Sequence, residues 1–292
     1  MSSWEGKSKG NKTGYQIFLW VLKRFGVLPA YFLLRFVVLY YFLFSWRSSR
    51  QIYSLYHQKL GYDRLASILK LYLNYYLLGQ SIIDKVVVMS GIKNKFTYKF
   101  DGEENLKEIV SRQKGGVLLS AHIGNWEIAG HLFKRLNTRI HIVIFDGEQE
   151  QIKKYLATVT GKKSVNFIVI KNDITHIYQI SEALKNNELV CMHADRFLDG
   201  NKTFTADFLG KKARFPMGPF VIAASFKVPV SYVFAVKESN RHYHLFASSI
   251  KNYEYLEKGM AMQEMLLEFT KEMEIKIKQY PAQWFNYYNF WN

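Results

Sequence analysis

Short apolar runs alternate with helical stretches from the middle of the chain onward, and this alternation constrains the fold more than any other feature. Five runs read as strands: GVLLSA, RIHIVIF, NFIVIK, ELVCMHA and VSYVFAV. Intervening stretches such as 150–160 and 174–186 read as helices. Strands that alternate with helices favour a mostly parallel sheet with helices on both faces. We therefore predict an α/β fold whose functional groups lie beyond the carboxyl ends of the strands.

Apolar spacing also predicts two longer helices outside this alternating region. Residues 62–91 carry apolar side chains at helical intervals, and the helix should end near Gly91. A second helical face runs from Met262 to Ile277, and Pro281 should stop that helix.

The N-terminal part of the chain has a different character. Residues 1–13 are polar and basic, which predicts a disordered tail. The stretch from 15 to 46 is apolar and aromatic, and it is broken at Pro29. Its second part, 28–46, approaches the roughly 20 residues that cross a bilayer, but Arg35 lies near its middle. A true span, a helix lying in the membrane interface, a hairpin re-entering at Pro29 and a buried helix all stay open.

Charge and cysteine usage narrow the possible partners. Lysine and arginine number 40 against 24 acidic residues, a formal net charge of +16 that attracts anionic lipids or acidic carrier proteins. Basic residues flank the apolar segment on both sides, which favours the cytoplasmic side of a membrane. The sequence has no nucleic-acid-binding module, so we expect no nucleic-acid partner. Cys191 is the single cysteine, which excludes an intrachain disulfide and a zinc site built on paired thiolates.

These observations predict three segments. A disordered basic tail covers 1–13, a membrane-associated helical segment covers 14–60, and a catalytic domain covers 61–292.

The sharpest motif is HIGNWE, which follows a predicted strand and opens a helix. His122 sits at the strand end, Gly124 gives a permissive turn, and Asn125 is a good helix N-cap. Glu127 falls in the first helical turn, from which its carboxylate can fold back toward the imidazole. An imidazole beside a carboxylate can take a proton from a hydroxyl or amine. The alternative is that His122 only caps the strand and Glu127 only caps the helix.

The motifs resemble those of the lysophospholipid acyltransferase superfamily, in particular the branch of lipid A late acyltransferases. HIGNWE resembles its His-x4-Asp/Glu motif, HADRFLDG its second motif, FLGKKARFPMGPF its Pro-x-Gly block, and PAQWFNYYNFW its closing signature. The resemblance covers about 110–292. It implies a glycerolipid-acyltransferase-like α/β fold with an N-terminal membrane-associated helical segment.

The resemblance also implies roles for individual residues. His122 would be the general base, with Glu127 as its charge partner. The substrate-binding residues would be Asn125, Asp195, Arg196, Arg214 and Gly218. Asp195 and Arg196 equally suit a structural ion pair that ties down a loop.

Further along, Phe215 to Gly218 would shape the mouth of an acyl tunnel, although Pro-x-Gly is also a plain helix start. Lys211, Lys212 and Arg214 form a basic loop that could contact a carrier or a headgroup, or could simply be solvated. We expect no cofactor and no metal, because His242 and His244 share a strand face without a nearby carboxylate–histidine set. An EGTR-type motif is absent from the sequence, which speaks against glycerol-3-phosphate as the acceptor.

The first hypothesis is therefore an acyltransferase at the cytoplasmic face of a bacterial inner membrane. It would move an acyl chain from acyl carrier protein or acyl-CoA to a hydroxyl or amine of a lipid A-like glycolipid or another amphiphile. A non-catalytic membrane adaptor of the same fold and a thioester or lipid hydrolase are the alternatives. The acceptor, the chain length and the choice of donor stay open.

Overall fold

A seven-stranded sheet forms the centre of the protein, with strand order β1-β9-β8-β2-β5-β3-β4. The computed structural model describes residues 12–125, 128, 136–145, 166–171, 173–197 and 200–291. The strands in chain order are β1 (Thr97–Asp101), β2 (Gly116–Ser120), β3 (Ile140–Phe145), β4 (Asn166–Ile170), β5 (Leu189–His193), β6 (Thr203–Phe208), β7 (Lys211–Pro216), β8 (Val230–Lys237) and β9 (His242–Ala247).

The pairing is parallel except at one junction of the main sheet. Strand β2 pairs in parallel with β5 and β8, and β3 pairs in parallel with β4 and β5. Only β8 and β9 run antiparallel within this sheet, while β6 and β7 form a separate antiparallel hairpin. The predicted mostly parallel α/β fold is confirmed, and all five predicted strands are present. The β6–β7 hairpin was not predicted, because its residues were interpreted only as a tunnel mouth and a helix start.

Hydrophobic cores lie on both faces of the sheet. Val117 and Leu119 of β2 pack into one core, whereas Leu118 between them packs into the other. Such alternation is what a strand buried on both faces requires.

The helices are α1 (Lys12–Phe25), α2 (Val27–Phe44), α3 (Trp46–Ser54), α4 (Arg64–Met89), α5 (Glu103–Ser111), α6 (Thr175–Lys185), α7 (Gly218–Phe226) and α8 (Lys258–Gln279), with a π-helical turn at Leu55–Lys59 and a 3-10 turn at Pro281–Gln283.

The long helices begin and end close to the predicted positions. Helix α4 starts after Asp63, whose Oδ1 accepts a hydrogen bond from the backbone N–H of Ala66 at 2.8 Å. Helix α8 ends before Pro281, as the proline predicts. Helix α6 matches the predicted stretch 174–186, whereas the stretch 150–160 lies outside the described residues.

The N-terminal helices pack onto the rest of the protein along one side only. The break between α1 and α2 falls at Gly26, with φ 85°, and Pro29 lies in the first turn of α2, where a missing N–H costs little. Buried residues of α2, including Leu34, face α4, where Gly79 allows close approach. Helix α2 is long and apolar enough to cross a membrane by length and composition. The part of the predicted tail up to residue 11 lies outside the described residues.

A buried charged network fastens α2 to the sheet. The carboxylate of Asp84 on α4 accepts hydrogen bonds from Tyr31 of α2, Lys237 of β8 and Tyr243 of β9. Burial raises the pKa of Asp84 and lowers that of Lys237, while their mutual attraction opposes both shifts. The side chains of Asp84 and Lys237 are 0% and 2% exposed, so each depends on the other for its charge partner.

Candidate active site

Strand register brings His122 and Asp195 to the same point at the carboxyl edge of the sheet. Ser120 at the end of β2 pairs in parallel with His193 at the end of β5. The backbone N–H of Ala194 then donates to the Ser120 carbonyl at 2.9 Å, which continues the pairing beyond the strands. His122 and Asp195 each lie two residues after the paired positions. Equal offsets from paired residues therefore place them side by side.

The carboxylate of Asp195 holds His122 at two points. Its Oδ1 lies 2.7 Å from the ring Nδ1 of His122, and its Oδ2 accepts the His122 backbone N–H at 2.9 Å. A carboxylate can only accept, so Nδ1 carries the proton and Nε2 keeps its lone pair. The side chain of Asp195 is 1% exposed, whereas that of His122 is 17% exposed. The buried carboxylate thus orients the imidazole of His122, while part of the ring stays accessible to solvent.

Asp195 is kept ionised by its surroundings. Burial alone would raise the pKa of its carboxyl, but the adjacent His122, the hydrogen bond from that ring and the nearby Arg196 together lower the pKa well below its usual range. Trp284 adds a hydrogen bond from its indole N–H to Oδ2 at 3.2 Å. Tyr288 donates to the Asp195 carbonyl at 2.7 Å.

A second histidine lies against the first. The rings of His122 and His193 stack with centroids 4.3 Å apart and an angle of 29° between their planes. Burial and the neighbouring His122 lower the pKa of His193 well below the usual value, so its imidazole is neutral at neutral pH.

The segment from Gln283 to Tyr288 closes one side of the site. The backbone N–H of Phe285 donates to the His122 carbonyl at 3.0 Å, and Ile123 and Trp284 form an antiparallel bridge. Gly124 has φ +69°, and a Cβ there would lie 2.0 Å from the carbonyl oxygen of Ala235. Only glycine therefore fits the turn that follows the histidine.

The predicted site residues around the motif have distinct placements. Asn125 is buried, and its side-chain amide donates to the Ser81 carbonyl at 2.9 Å, so this amide contacts the protein interior. Glu127, the predicted charge partner of His122, lies outside the described residues. Asp195, predicted only to line a substrate site, is the carboxylate in contact with the imidazole.

Arg196 donates from Nη2 to the Phe285 carbonyl and so ties the closing segment to the β5 edge. Arg214 is exposed on β7, donates from Nε to Thr203 Oγ1 at 3.1 Å, and lies over the ring of Phe197. Gly218 opens α7 at an exposed position.

The Pro-x-Gly block and the lone cysteine both contribute side chains to the core. Phe215 is fully buried and packs against Phe269 and Phe290, so its ring is part of the core. Cys191 lies in the core on the opposite face of the sheet from Leu119. Burial raises the pKa of the Cys191 thiol to about 12, which keeps it protonated at neutral pH.

Sequence reasoning missed the contributions of His193, Trp284 and Tyr288 to the site. PAQWFNYYNFW was noted only as a closing signature, and nothing local in it indicates a hydrogen bond to Asp195. The one available signal was the position of HADR at a strand end, which places Asp195 at the edge where His122 lies.

Within the described residues, His122, His193 and Asp195 form the one cluster able to hold a metal ion, with one ligand atom from each inside a mutual distance of 4.8 Å. The separation of 2.7 Å between His122 Nδ1 and Asp195 Oδ1 is that of a hydrogen bond through a shared proton. We therefore interpret the cluster as a proton-transfer site.

Comparison with known families identifies the chain. A family model described as bacterial lipid A biosynthesis acyltransferase matches residues 78–292. The chain belongs to the bacterial lipid A biosynthesis acyltransferase family. The predicted resemblance is thus confirmed, and the matched region includes every site residue discussed above.

The curated relatives of this lipid A acyltransferase family member match only part of its chain. Phosphatidylinositol mannoside acyltransferase from two strains of Mycobacterium tuberculosis is 30% identical over 129 residues, which is 42% of this chain. The match spans only 39% of the length of those relatives. Among solved structures, the 1-acyl-sn-glycerophosphate acyltransferase PlsC from Thermotoga maritima aligns with 84% of this chain and 96% of its own, at 14% identity and a TM-score of 0.40.

Proposed function

We propose that the protein is a membrane-associated acyltransferase that moves a fatty acyl group from a thioester onto a hydroxyl or amine of an amphiphilic lipid, with His122 as general base. The hydrogen bond between His122 Nδ1 and the ionised carboxylate of Asp195 carries this proposal, because it leaves Nε2 as the atom that accepts a proton.

In the proposed reaction, Nε2 of His122 takes the proton of the acceptor hydroxyl or amine as that atom attacks the thioester carbonyl. A new C–O or C–N bond forms, and the carbonyl becomes a tetrahedral oxyanion. When this intermediate collapses, the C–S bond breaks and the leaving thiolate takes the proton from the imidazolium. Asp195 stays ionised throughout and stabilises the imidazolium. We expect backbone N–H groups of the helix predicted after Asn125 to donate to the oxyanion, and most of those residues lie outside the described residues.

The donor is an acyl carrier protein or acyl-CoA, and the acceptor is a glycolipid or another amphiphile, such as a lipid A precursor. A net charge of +16 supports an anionic carrier or membrane as partner. The family and the exposed apolar side of α2 support an association with the membrane, which we assign to the cytoplasmic face of a bacterial inner membrane. The boundaries of the tail, the helical segment and the catalytic domain stay predictions.

The first test is acyl transfer from radiolabelled acyl carrier protein to a total lipid extract. His122→Ala should lower the rate constant for transfer by about 10²- to 10⁴-fold, the usual contribution of a general base. Asp195→Asn should cost a similar factor with little change in KM, because it loses the carboxylate that fixes the ring tautomer. Circular dichroism checks that each variant is folded.

His176→Gln, which changes a histidine on helix α6, is the matched control and should keep wild-type activity. In the same assay, Glu127→Gln tests whether the carboxylate that the sequence predicted as the charge partner of His122 contributes to the transfer rate. Full transfer by folded His122→Ala would overturn the proposed base. Loss of the thioester without a labelled lipid would support the hydrolase, and no reaction by the wild type would support the adaptor.

A further inference from the structure

A groove with a volume of about 610 Å³ lies beside the candidate active site and is lined by three cations. Arg50 comes from α3, Lys59 from the π-helical turn and Lys211 from β7. No aspartate or glutamate is among the described residues that line this groove. A concave surface with positive charge and no acidic partner favours an anionic ligand.

The side chains of Lys59 and Lys211 lie close together, and their like charges repel each other. The ammonium of Lys59 lies 4.5 Å from the ring centroid of Trp291. Partial burial, the charge of the neighbouring Lys211 and contact with that side chain lower the pKa of Lys59. A bound anion between the two ammonium groups would relieve this repulsion.

The inner wall of the groove offers an acceptor as well. Asn286 lines the groove and is 5% exposed. Its amide oxygen has no hydrogen-bond partner among the described residues, which is costly for a buried polar atom. A ligand hydroxyl entering the groove would satisfy it.

The wall of the groove includes one residue that contacts the active site and one that lies near the exposed apolar side chains of the N-terminal helices. Tyr288 on its wall donates to the carbonyl of Asp195, the residue that holds His122. Arg50, which also lines the groove, follows Trp46 by one helical turn, and Trp46 is 77% exposed. A ligand whose anionic group lies in this groove while its apolar part stays beside Trp46 would be a lipid.

We propose that the groove binds the phosphate of a hydroxylated lipid headgroup, that of the acyl acceptor. Lys59, Lys211 and Arg50 contact the phosphate oxygens, and the Asn286 amide oxygen accepts a hydrogen bond from a headgroup hydroxyl. The assignment to the acceptor rests on the proposed acyltransferase function. Phosphate also occurs in coenzyme A and in the carrier prosthetic group, so the test must separate the two sources.

The experiment is calorimetric titration of the detergent-solubilised full chain with dihexanoyl phosphatidylinositol below its micelle concentration. The double variant Lys59→Gln/Lys211→Gln should weaken binding at least tenfold, whereas its affinity for coenzyme A should not change. Lys93→Gln/Lys95→Gln, in the exposed loop before β1, removes the same charge and is the matched control. His122→Ala should bind as the wild type does, so binding is measured independently of catalysis.

Asn286→Ala should weaken binding of the inositol lipid but not of dihexanoyl phosphatidylmethanol, which has no headgroup hydroxyl. If that variant does not fold, the wild type still tests the point, since it should prefer the inositol lipid. A fall in coenzyme A affinity with lipid binding intact would overturn the assignment to the acceptor. An equal effect of the control pair, or no effect of the groove pair, would overturn the phosphate site itself.

Discussion

At the scale of single residues, the two stacked imidazoles lie in different electrostatic environments. His122 faces an ionised carboxylate and is partly exposed, so it can carry a positive charge during a reaction. His193 is kept neutral by burial and by the neighbouring ring. A neutral ring against the base limits its rotation without adding a charge that would oppose its protonation.

The low pKa of His193 predicts a pH-dependent stability. The unfolded chain binds a proton on this residue below about pH 6.5, whereas the folded protein does not. Stability should therefore fall as the pH drops below that value, by up to about 1.4 kcal/mol per pH unit from this group. His193→Phe keeps an aromatic ring and should remove that part of the slope. Urea unfolding between about pH 5 and 7 measures it.

His176→Gln serves as the control and should keep the wild-type slope. If His193→Phe and the wild type lose stability in parallel as the pH falls, His193 titrates normally and its proposed neutral state is wrong.

At the scale of secondary-structure elements, the buried network joins the N-terminal helices to the strands that carry the site. Lys237 ends β8, and its backbone exchanges two hydrogen bonds of 2.8 Å with the side chain of Gln283, next to Trp284. Asn125 approaches the same network through the hydroxyl of Tyr243, at 3.5 Å. A shift of α2 would thus be transmitted to Asn125 and to Gln283, in the two segments that flank His122.

Removing one charge of this network should be costly. Lys237→Met leaves the Asp84 carboxylate buried without its cation, and we expect a loss of about 3–5 kcal/mol in the free energy of unfolding. The double variant Lys237→Met/Asp84→Asn removes both charges and keeps hydrogen-bonding groups for the tyrosines, so it should recover most of that loss. Urea denaturation of these two variants and of Asp84→Asn alone measures the difference. Strictly additive effects would show that the two charges are not coupled.

The elements that the sequence predicted correctly are those with local signals. Apolar runs such as GVLLSA mark strands buried on both faces, and Pro281 marks the end of α8. Contacts between residues that are distant in sequence have no local signal of this kind. Asp195 contacts His122 only because β2 and β5 are neighbours, and sequence spacing instead favoured Glu127. The pairing of Lys237 with Asp84 likewise depends on how α4 lies across the sheet.

At the scale of the whole molecule, one side of the N-terminal region exposes a large apolar surface. Its exposed side chains come from α1, α2, the start of α3 and the first half of α4: Trp20, Phe25, Phe32, Phe36, Leu39, Leu43, Phe44, Trp46, Leu65, Ile68 and Leu69. Soluble monomers rarely expose this many large apolar side chains on neighbouring helices. Because the opposite side of α2 packs on α4, we propose that these helices lie in the membrane interface.

Charged substitutions on this surface should release the protein from membranes. Phe36→Asp/Leu43→Asp should lower binding to vesicles containing anionic phosphatidylglycerol at least tenfold, because burying each apolar side chain contributes about 1.5–3 kcal/mol. Co-sedimentation measures the effect. Leu267→Asp/Ile275→Asp changes two exposed apolar residues of α8, adds the same charge and is the matched control, which should bind normally. Equal loss by the control would point to general charge repulsion.

The fastening of His122 by Phe285 and of Asp195 by Trp284 and Tyr288 has a consequence for biosynthesis. A ribosome must translate the chain as far as Tyr288 before all of these contacts to His122 and Asp195 can form. A nascent chain carrying a complete HIGNWE motif would therefore still be inert. Under the proposed function, cellular thioesters would be protected from wasteful cleavage until the protein has finished folding.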